Sequence, residues 1–344
     1  MPNPRYNLAV WELLPAPDAK SCWVFGATSE FFQVDLDGKQ LRSFVGYDGN
    51  IQSNAKVARL AFHPDGKRLI SAAGGHVKVW DWASGECLHT FDPIFEAYSL
   101  VILPSGTHAI SGNGEHRELN VWNLKTLKRT ARVGAGATAN WLAIDASGTR
   151  IISAPNETSG PYNFYGWRLE KFKPVLTRRF EGHTSCIEAV TLRADGERVA
   201  TADMQGRIRL WDAASGKLLH VLEGHPGWVR NLAFLDGDRL LSAGGNHGKL
   251  CVWEVSTGKL IREINEVSDA TWPGSMALSA DGKRVALAGS HRQTLVDLES
   301  GSVLKRWELE HVKCLAFVGE RLMASIDKGF LKSERLEVKS LPMP

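Results

Sequence analysis

The sequence predicts an all-β protein: one closed β-propeller, built as a single domain from residues 1–344, with eight blades expected and seven the alternative count. Three observations predict it. One pattern is written twice within residues 181–254. The first copy runs Glu181-Gly182-His183, then a strand-like Ile187–Leu192, an Asp195-Gly196 turn, Val199–Thr201, and Ile208–Asp212 ending in Trp211-Asp212. The second runs Glu223-Gly224-His225, Val229–Phe234, Asp236-Gly237, Leu240–Ser242, and Leu250–Glu254 ending in Trp253-Glu254. The second observation is a period: the last residue of each such pair falls at Asp35, Asp81, Asn123, Arg168, Asp212, Glu254 and Asp297, every 42 to 46 residues, so the chain divides into close to eight units. The third is local. Short runs rich in β-branched and aromatic residues are punctuated by Asp-Gly or Ser-Gly turns, with no helical periodicity. Repeats of roughly 40–45 residues with four strands each read as propeller blades.

The units are expected at 7–45, 51–91, 95–133, 138–180, 183–222, 225–264, 270–307 and 311–341. Asp65-Gly66, Ser105-Gly106, Ser147-Gly148, Asp195-Gly196 and Asp281-Gly282 mark the first hairpin of a unit. Asp37-Gly38, Ser84-Gly85, Ser215-Gly216, Thr257-Gly258 and Ser300-Gly301 mark the third. The first and last units are weak, as terminal repeats usually are. In the eighth, Val312–Phe317, Arg321–Ala324, Phe330-Leu331 and Leu336–Val338 are read as its four strands in turn.

Gly-His some thirty residues before Trp-Asp, in four-stranded units, resembles the WD40 repeat, strongly over units two to six and weakly at both ends. That resemblance implies a hydrogen-bonded set inside a blade: His of Gly-His, Ser or Thr of the second strand, an Asp of the next turn, and Trp of the third strand. A buried indole N–H needs an acceptor, and a hydroxyl supplies one. The matching pairs are Ser71 with Trp80, Ser111 with Trp122, Ser153 with Trp167, Thr201 with Trp211, and Ser242 with Trp253; His183 and His225 fill the histidine position. The turn Asp is read as missing, with Gln205 in its place in unit five. These residues are therefore expected to be structural.

The composition narrows function mainly by exclusion. A net charge of +3, from 41 basic and 38 acidic residues, does not by itself imply nucleic acid or an anionic membrane. Cys22, Cys87, Cys186, Cys251 and Cys314 show no CxxC spacing and read as reduced, buried small residues of a reducing, cytoplasmic compartment. Neither a secretory run nor a bilayer-length apolar stretch is present. His76, His116, His247 and His291 near the third strands read as solvent-facing turn residues rather than metal ligands. GxSxG, HExxH and GxxxxGK[ST] are absent, so no catalytic residue, cofactor or metal is expected.

The loops carry the asymmetry. Turns on one face are short and uniform, whereas Gly46–Ala55, Ala154–Gly166 and Asn265–Ser275 on the other vary and carry aromatic residues such as Tyr162 and Tyr165. Variable loops on a rigid scaffold are where recognition concentrates. Aligned at the mouth of the inner strands on that face are Lys56, Tyr98, Glu188, Trp228 with Arg230, Trp272, and His311 with Lys313. The resemblance also implies partner binding at this rim, and Trp, Tyr and Arg are hot-spot types. The expected function is a monomeric, non-enzymatic scaffold for a peptide or protein partner. Its rival is a propeller enzyme of hydrolase or lyase type with a central-funnel site.

Overall fold

A computed structural model describes residues 12–25, 30–45, 57–73, 75–93, 97–114, 116–244, 248–269, 275–327 and 336–344. Among these residues all regular structure is strand, in eight antiparallel sheets. The sheets span 12–45, 57–90, 97–134, 141–180, 187–222, 229–264, 276–308 and 312–341, each from consecutive residues. They are the eight blades of a propeller. Seven hold four strands; the eighth holds three among the described residues.

The alternation of side chains along each strand explains where the core lies. Both faces of a blade are buried against a neighbour, so the second and third strands read as nearly continuous apolar runs. Eight apolar clusters result, one at each interface between blades. The interface of blades one and two compensates for the weak first repeat with aromatic rings. Trp23, Phe31 and Phe44 of blade one meet Trp80 of blade two, with Phe31 edge-on to Trp80 at 5.2 Å. Blade eight meets blade one through Cys314, Val318, Met323 and Val338 against Leu13, Cys22, Val24 and Val34, which closes the ring.

Two rows of polar contacts, both invisible in the repeat period, also join blades. On the perimeter, a basic residue of one outer strand donates to a carbonyl in the next blade's last turn: Arg42 to Ala83, Arg178 to Ala214 (2.7 Å), His220 to Ser256 (3.0 Å) and Arg262 to Ser300 (2.8 Å). On the turn face, the arginine opening a second strand reaches the following blade: Arg68 to the Leu124 carbonyl, Arg150 to that of Gly196, Arg284 to Glu320, and Arg321 to Asp37 across the closure. Exposed contacts of this kind contribute little singly, roughly 0–1 kcal/mol.

Two expectations about strands and thiols are corrected. Leu336–Leu341 pairs with Arg321–Asp327 in register Leu322↔Leu341, so it is the third strand of blade eight and not the fourth. Phe330-Leu331 lies outside the described residues. Cys87 is exposed on an outer strand, while Cys22, Cys186, Cys251 and Cys314 are buried; all five are free thiols. Burial pushes the Cys22 and Cys251 thiols up to about 12, which makes them unreactive. An aromatic disulfide reagent should therefore titrate Cys87 alone in the native protein and the other four only after denaturation. A second fast thiol would contradict this.

Candidate functional site

The second and third strands of blades two to six share one device. Trp80 Nε1 donates to Ser71 Oγ at 2.8 Å, Trp122 to Ser111 at 3.0 Å, Trp167 to Ser153 at 2.9 Å, Trp211 to Thr201 at 2.9 Å and Trp253 to Ser242 at 2.8 Å. All ten residues are buried. A hydroxyl beneath each indole leaves no orphaned N–H, so the ring fills the interface at no polar cost.

Blade five extends the device further than its sequence suggests. His183 lies with Nε2 at 2.6 Å from Thr201 Oγ1 and Nδ1 at 3.0 Å from Asp203 Oδ2. Asp203, not Gln205, is the acidic member, and the reading that it is missing is wrong. The carboxylate stands at the end of the second strand and folds back over the turn, its Oδ1 accepting the amides of Gln205 and Arg207. The chain runs donor to acceptor when His183 carries its proton on Nδ1: Trp211 donates to Thr201, Thr201 to His183, and His183 to Asp203, while Arg209 Nη1, 2.8 Å from that same nitrogen, gives its proton to Asp203 instead. Arg209 Nη1 adds a second donor to Asp203 Oδ2 at 2.7 Å. Burial holds His183 below the usual imidazole range, with the Arg209 charge adding to the effect and Asp203 opposing it. Burial opposes the Asp203 charge, but His183 and Arg209 outweigh it and hold the carboxyl below its usual range. In blade six Gly244 stands at the Asp203 position. His225 still meets Ser242 at 2.8 Å, and burial pushes it down to about 4.

The rim is built by a different device, an extra residue in the innermost strand. Five inner strands carry a β-bulge at one level, next to Ala58, Tyr98, Glu188, Arg230 and Lys313. A bulge leaves one residue outside the ladder and re-aims its side chain. Of these, Glu188 and Arg230 are brought together: Arg230 Nε lies 3.6 Å from Glu188 Oε2, and its guanidinium sits 4.9 Å over the Trp228 ring. The sequence treats Arg230 as a guanidinium open to an acidic anchor. In the structure its charge already faces Glu188, and the Trp228 ring that it covers is half-buried. Between blades six and seven a cavity of about 550 Å³ is lined by Pro226, Lys249, Asn265, Glu266, Asp269 and Arg292, among others.

The remaining rim candidates are dispersed. Tyr98 is half-buried, its ring against Gly114. His311 is exposed beside Glu310, and Lys313 is half-buried. Tyr162 is half-buried and donates to the Thr158 carbonyl at 3.0 Å. Tyr165 belongs to the strand Phe164–Glu170 rather than to a loop, and it packs on the interface of blades three and four. The variable stretch is therefore 155–163. Lys56 and Trp272 lie outside the described residues. His76 begins a strand and is half-buried, contrary to its reading as a solvent-facing turn residue; His116 and His291 are exposed, and His247 lies outside the described residues. Among the described residues no group of three His, Cys, Asp or Glu could hold a metal ion, and no helix is long and apolar enough to cross a membrane.

Comparison with known proteins follows the same lines. The family model "WD domain, G-beta repeat" matches residues 38–81, 173–212 and 216–254. Apoptotic protease-activating factor 1 of Rattus norvegicus is 30% identical over 214 residues, covering 58% of this chain and 16% of that protein. Target of rapamycin complex subunit LST8-1 of Arabidopsis thaliana is 24% identical over 201 residues, covering 56% of this chain and 64% of that protein. The chain thus spans well under two thirds of the first of these relatives. The crystal structure of the computationally designed Ika8 protein superposes with a TM-score of 0.76 at 21% identity, over 97% of each chain, and speaks for the fold alone. With its Trp-and-hydroxyl blades, its Gly-His turns and eight sheets around one axis, the chain is an eight-bladed propeller that carries WD40 repeats at the residues matched.

Proposed function

We propose that this propeller is a non-enzymatic scaffold that holds a peptide or protein partner on its variable-loop face, at the junction of blades five, six and seven. The observation that carries the reading is the bulged rim. A bulge interrupts the ladder, yet five inner strands have one at the same level, and in blades five and six it carries the Glu188–Arg230 pair under Trp228. An indole held flat by a guanidinium is a rigid, half-open apolar surface, which suits an apolar side chain of an extended segment. The neighbouring cavity can take the flanking residues. A relative described by name as a complex subunit supports a role in an assembly.

Trp228→Ala should weaken retention of a partner captured from native extract by about 2–4 kcal/mol with little change in melting temperature. Unchanged retention would remove this patch from consideration. A lowered melting temperature with full retention would make Trp228 a packing residue. Stoichiometric zinc or calcium in the purified protein would instead favour the enzyme reading.

A further inference from the structure

The opposite face, where the turns are short, carries a second feature confined to blades three and four. Elsewhere these turns are acidic. The first hairpin holds Asp18, Asp65, Asp195, Asp236, Asp281 or Glu320, and in blades one, two, five, six and seven the third strand ends in Asp35, Asp81, Asp212, Glu254 or Asp297. Blades three and four depart at both positions: the first turns are Ser105-Gly106 and Ser147-Gly148, and the third strands end in Asn123 and Arg168. Their last turns add Lys125, Lys128, Lys171 and Lys173, and their outer strands, Lys128–Gly134 and Lys173–Phe180, contain no carboxylate. Arg168 and these four lysines are exposed, and among the described residues none makes an ion pair. Glu170, opposite Lys173 in the hairpin register, is the one carboxylate in the two last turns.

Backbone conformation singles out the same two blades. The last turn takes a left-handed residue, which is glycine in blades one, two, five, six and seven (Gly38, Gly85, Gly216, Gly258, Gly301). In blades three and four that position is Leu127 (φ 55°) and Phe172 (φ 65°), and Lys171 is left-handed too (φ 49°). Glycine would take this conformation without strain, whereas a Cβ there is disfavoured. Leu127 recovers packing against the core of blades two and three. Phe172 does not to the same degree, because it remains 46% exposed. One face of its ring stacks on His108 at 4.1 Å, and His108 is tied to Asn123, whose Oδ1 fixes the Lys125 turn. Phe172 is thus a braced ring with one open face among five unpaired cations.

We propose that this surface docks an acidic segment of a protein partner, its carboxylates on Lys125, Lys128, Arg168, Lys171 and Lys173 and an apolar or aromatic side chain on the open face of Phe172. Charge complementarity selects the partner class, and the confinement of the patch selects the size. An anionic bilayer or a long nucleic acid would also lie over the acidic turns of the flanking blades, where Asp81, Asp195 and Asp212 repel it. A short, extended acidic segment avoids them.

The test uses the full chain and a fluorescein-labelled peptide of alternating glutamate and aspartate with one central phenylalanine, followed by anisotropy. The combined substitution Lys125→Glu, Lys171→Glu and Lys173→Glu should weaken binding by about tenfold or more. Binding by the parent should also weaken as salt rises. Phe172→Gly should weaken binding about threefold or more without lowering the melting temperature, because the glycine relieves strain as the ring is lost. Unaltered binding in the triple variant overturns the proposal. So does tighter binding, through the same lysines, of a poly-dT oligonucleotide or of phosphatidylserine-containing vesicles. A Phe172→Gly variant that binds normally but melts earlier assigns the ring to packing and removes it from the site.

Discussion

Asp203→Ala should cost about 3–5 kcal/mol, the loss expected when one member of a buried ion pair is removed. Asp203 is fully buried, and Arg209 is only 5% exposed. One carboxylate oxygen receives Arg209 at 2.7 Å and His183 at 3.0 Å, while the other receives the amides of Gln205 and Arg207. Alanine would leave a desolvated guanidinium with no counter-charge and two amides with no acceptor. Asp203→Asn keeps an oxygen for Arg209 and should cost less. The acid range offers an independent check. The folded carboxyl is held below its ordinary value, so its contribution is complete above about 3.9 and is lost as pH falls through the folded value. Urea melts at neutral pH and down through this window should show the parent losing stability that Asp203→Ala has already lost. If the variant matches the parent at neutral pH, the pair is not the anchor of blade five.

Trp211→Ala should lose a similar amount, about 3–5 kcal/mol, by a different route, the cavity left by a large core ring. Trp211 is 1% exposed and stands edge-on to Phe164 and Phe180 of blade four, at 5.3 and 5.7 Å, so it crosses an interface rather than filling one blade. Its N–H also saturates Thr201, which in turn faces His183. Trp211→Phe keeps part of the volume and should be milder. Because Trp211 and Asp203 sit on one hydrogen-bonded chain, the double variant should be less destabilised than the two single losses added together. A denaturant midpoint for Trp211→Ala equal to the parent's would mean that the ring is not buried.

The period of the repeat made the architecture legible, because each blade repeats the same local chemistry of strand, turn and buried indole. Ser71 with Trp80 and its four counterparts are legible for the same reason: donor and acceptor occupy fixed positions in adjacent strands. Asp203 escaped because its role is set by a side chain folding back over an irregular turn, so counting along the chain led to Gln205. Tyr165 reads as a loop residue because it follows Pro161, Tyr162 and Asn163, and only its pairing with Ser153 places it in a strand. Arg42, Arg178 and Arg262 act on the following blade, a contact that no single repeat contains. At the rim, equal spacing put Glu188 and Arg230 at one level but could not show that they face each other.

Seven of the eight joints in the ring are crossed by the polypeptide itself. Among the described residues, the joint of blade eight with blade one is held by its apolar seam and by contacts such as Arg321 with Asp37. In effect the chain binds itself there, and the strength of that joint is an affinity multiplied by a local concentration that the other seven joints maintain. Opening at this seam resembles dissociation of a dimer more than unfolding of a domain. Weakening any distant blade lowers the local concentration and loosens the seam, so damage far away is felt at this joint.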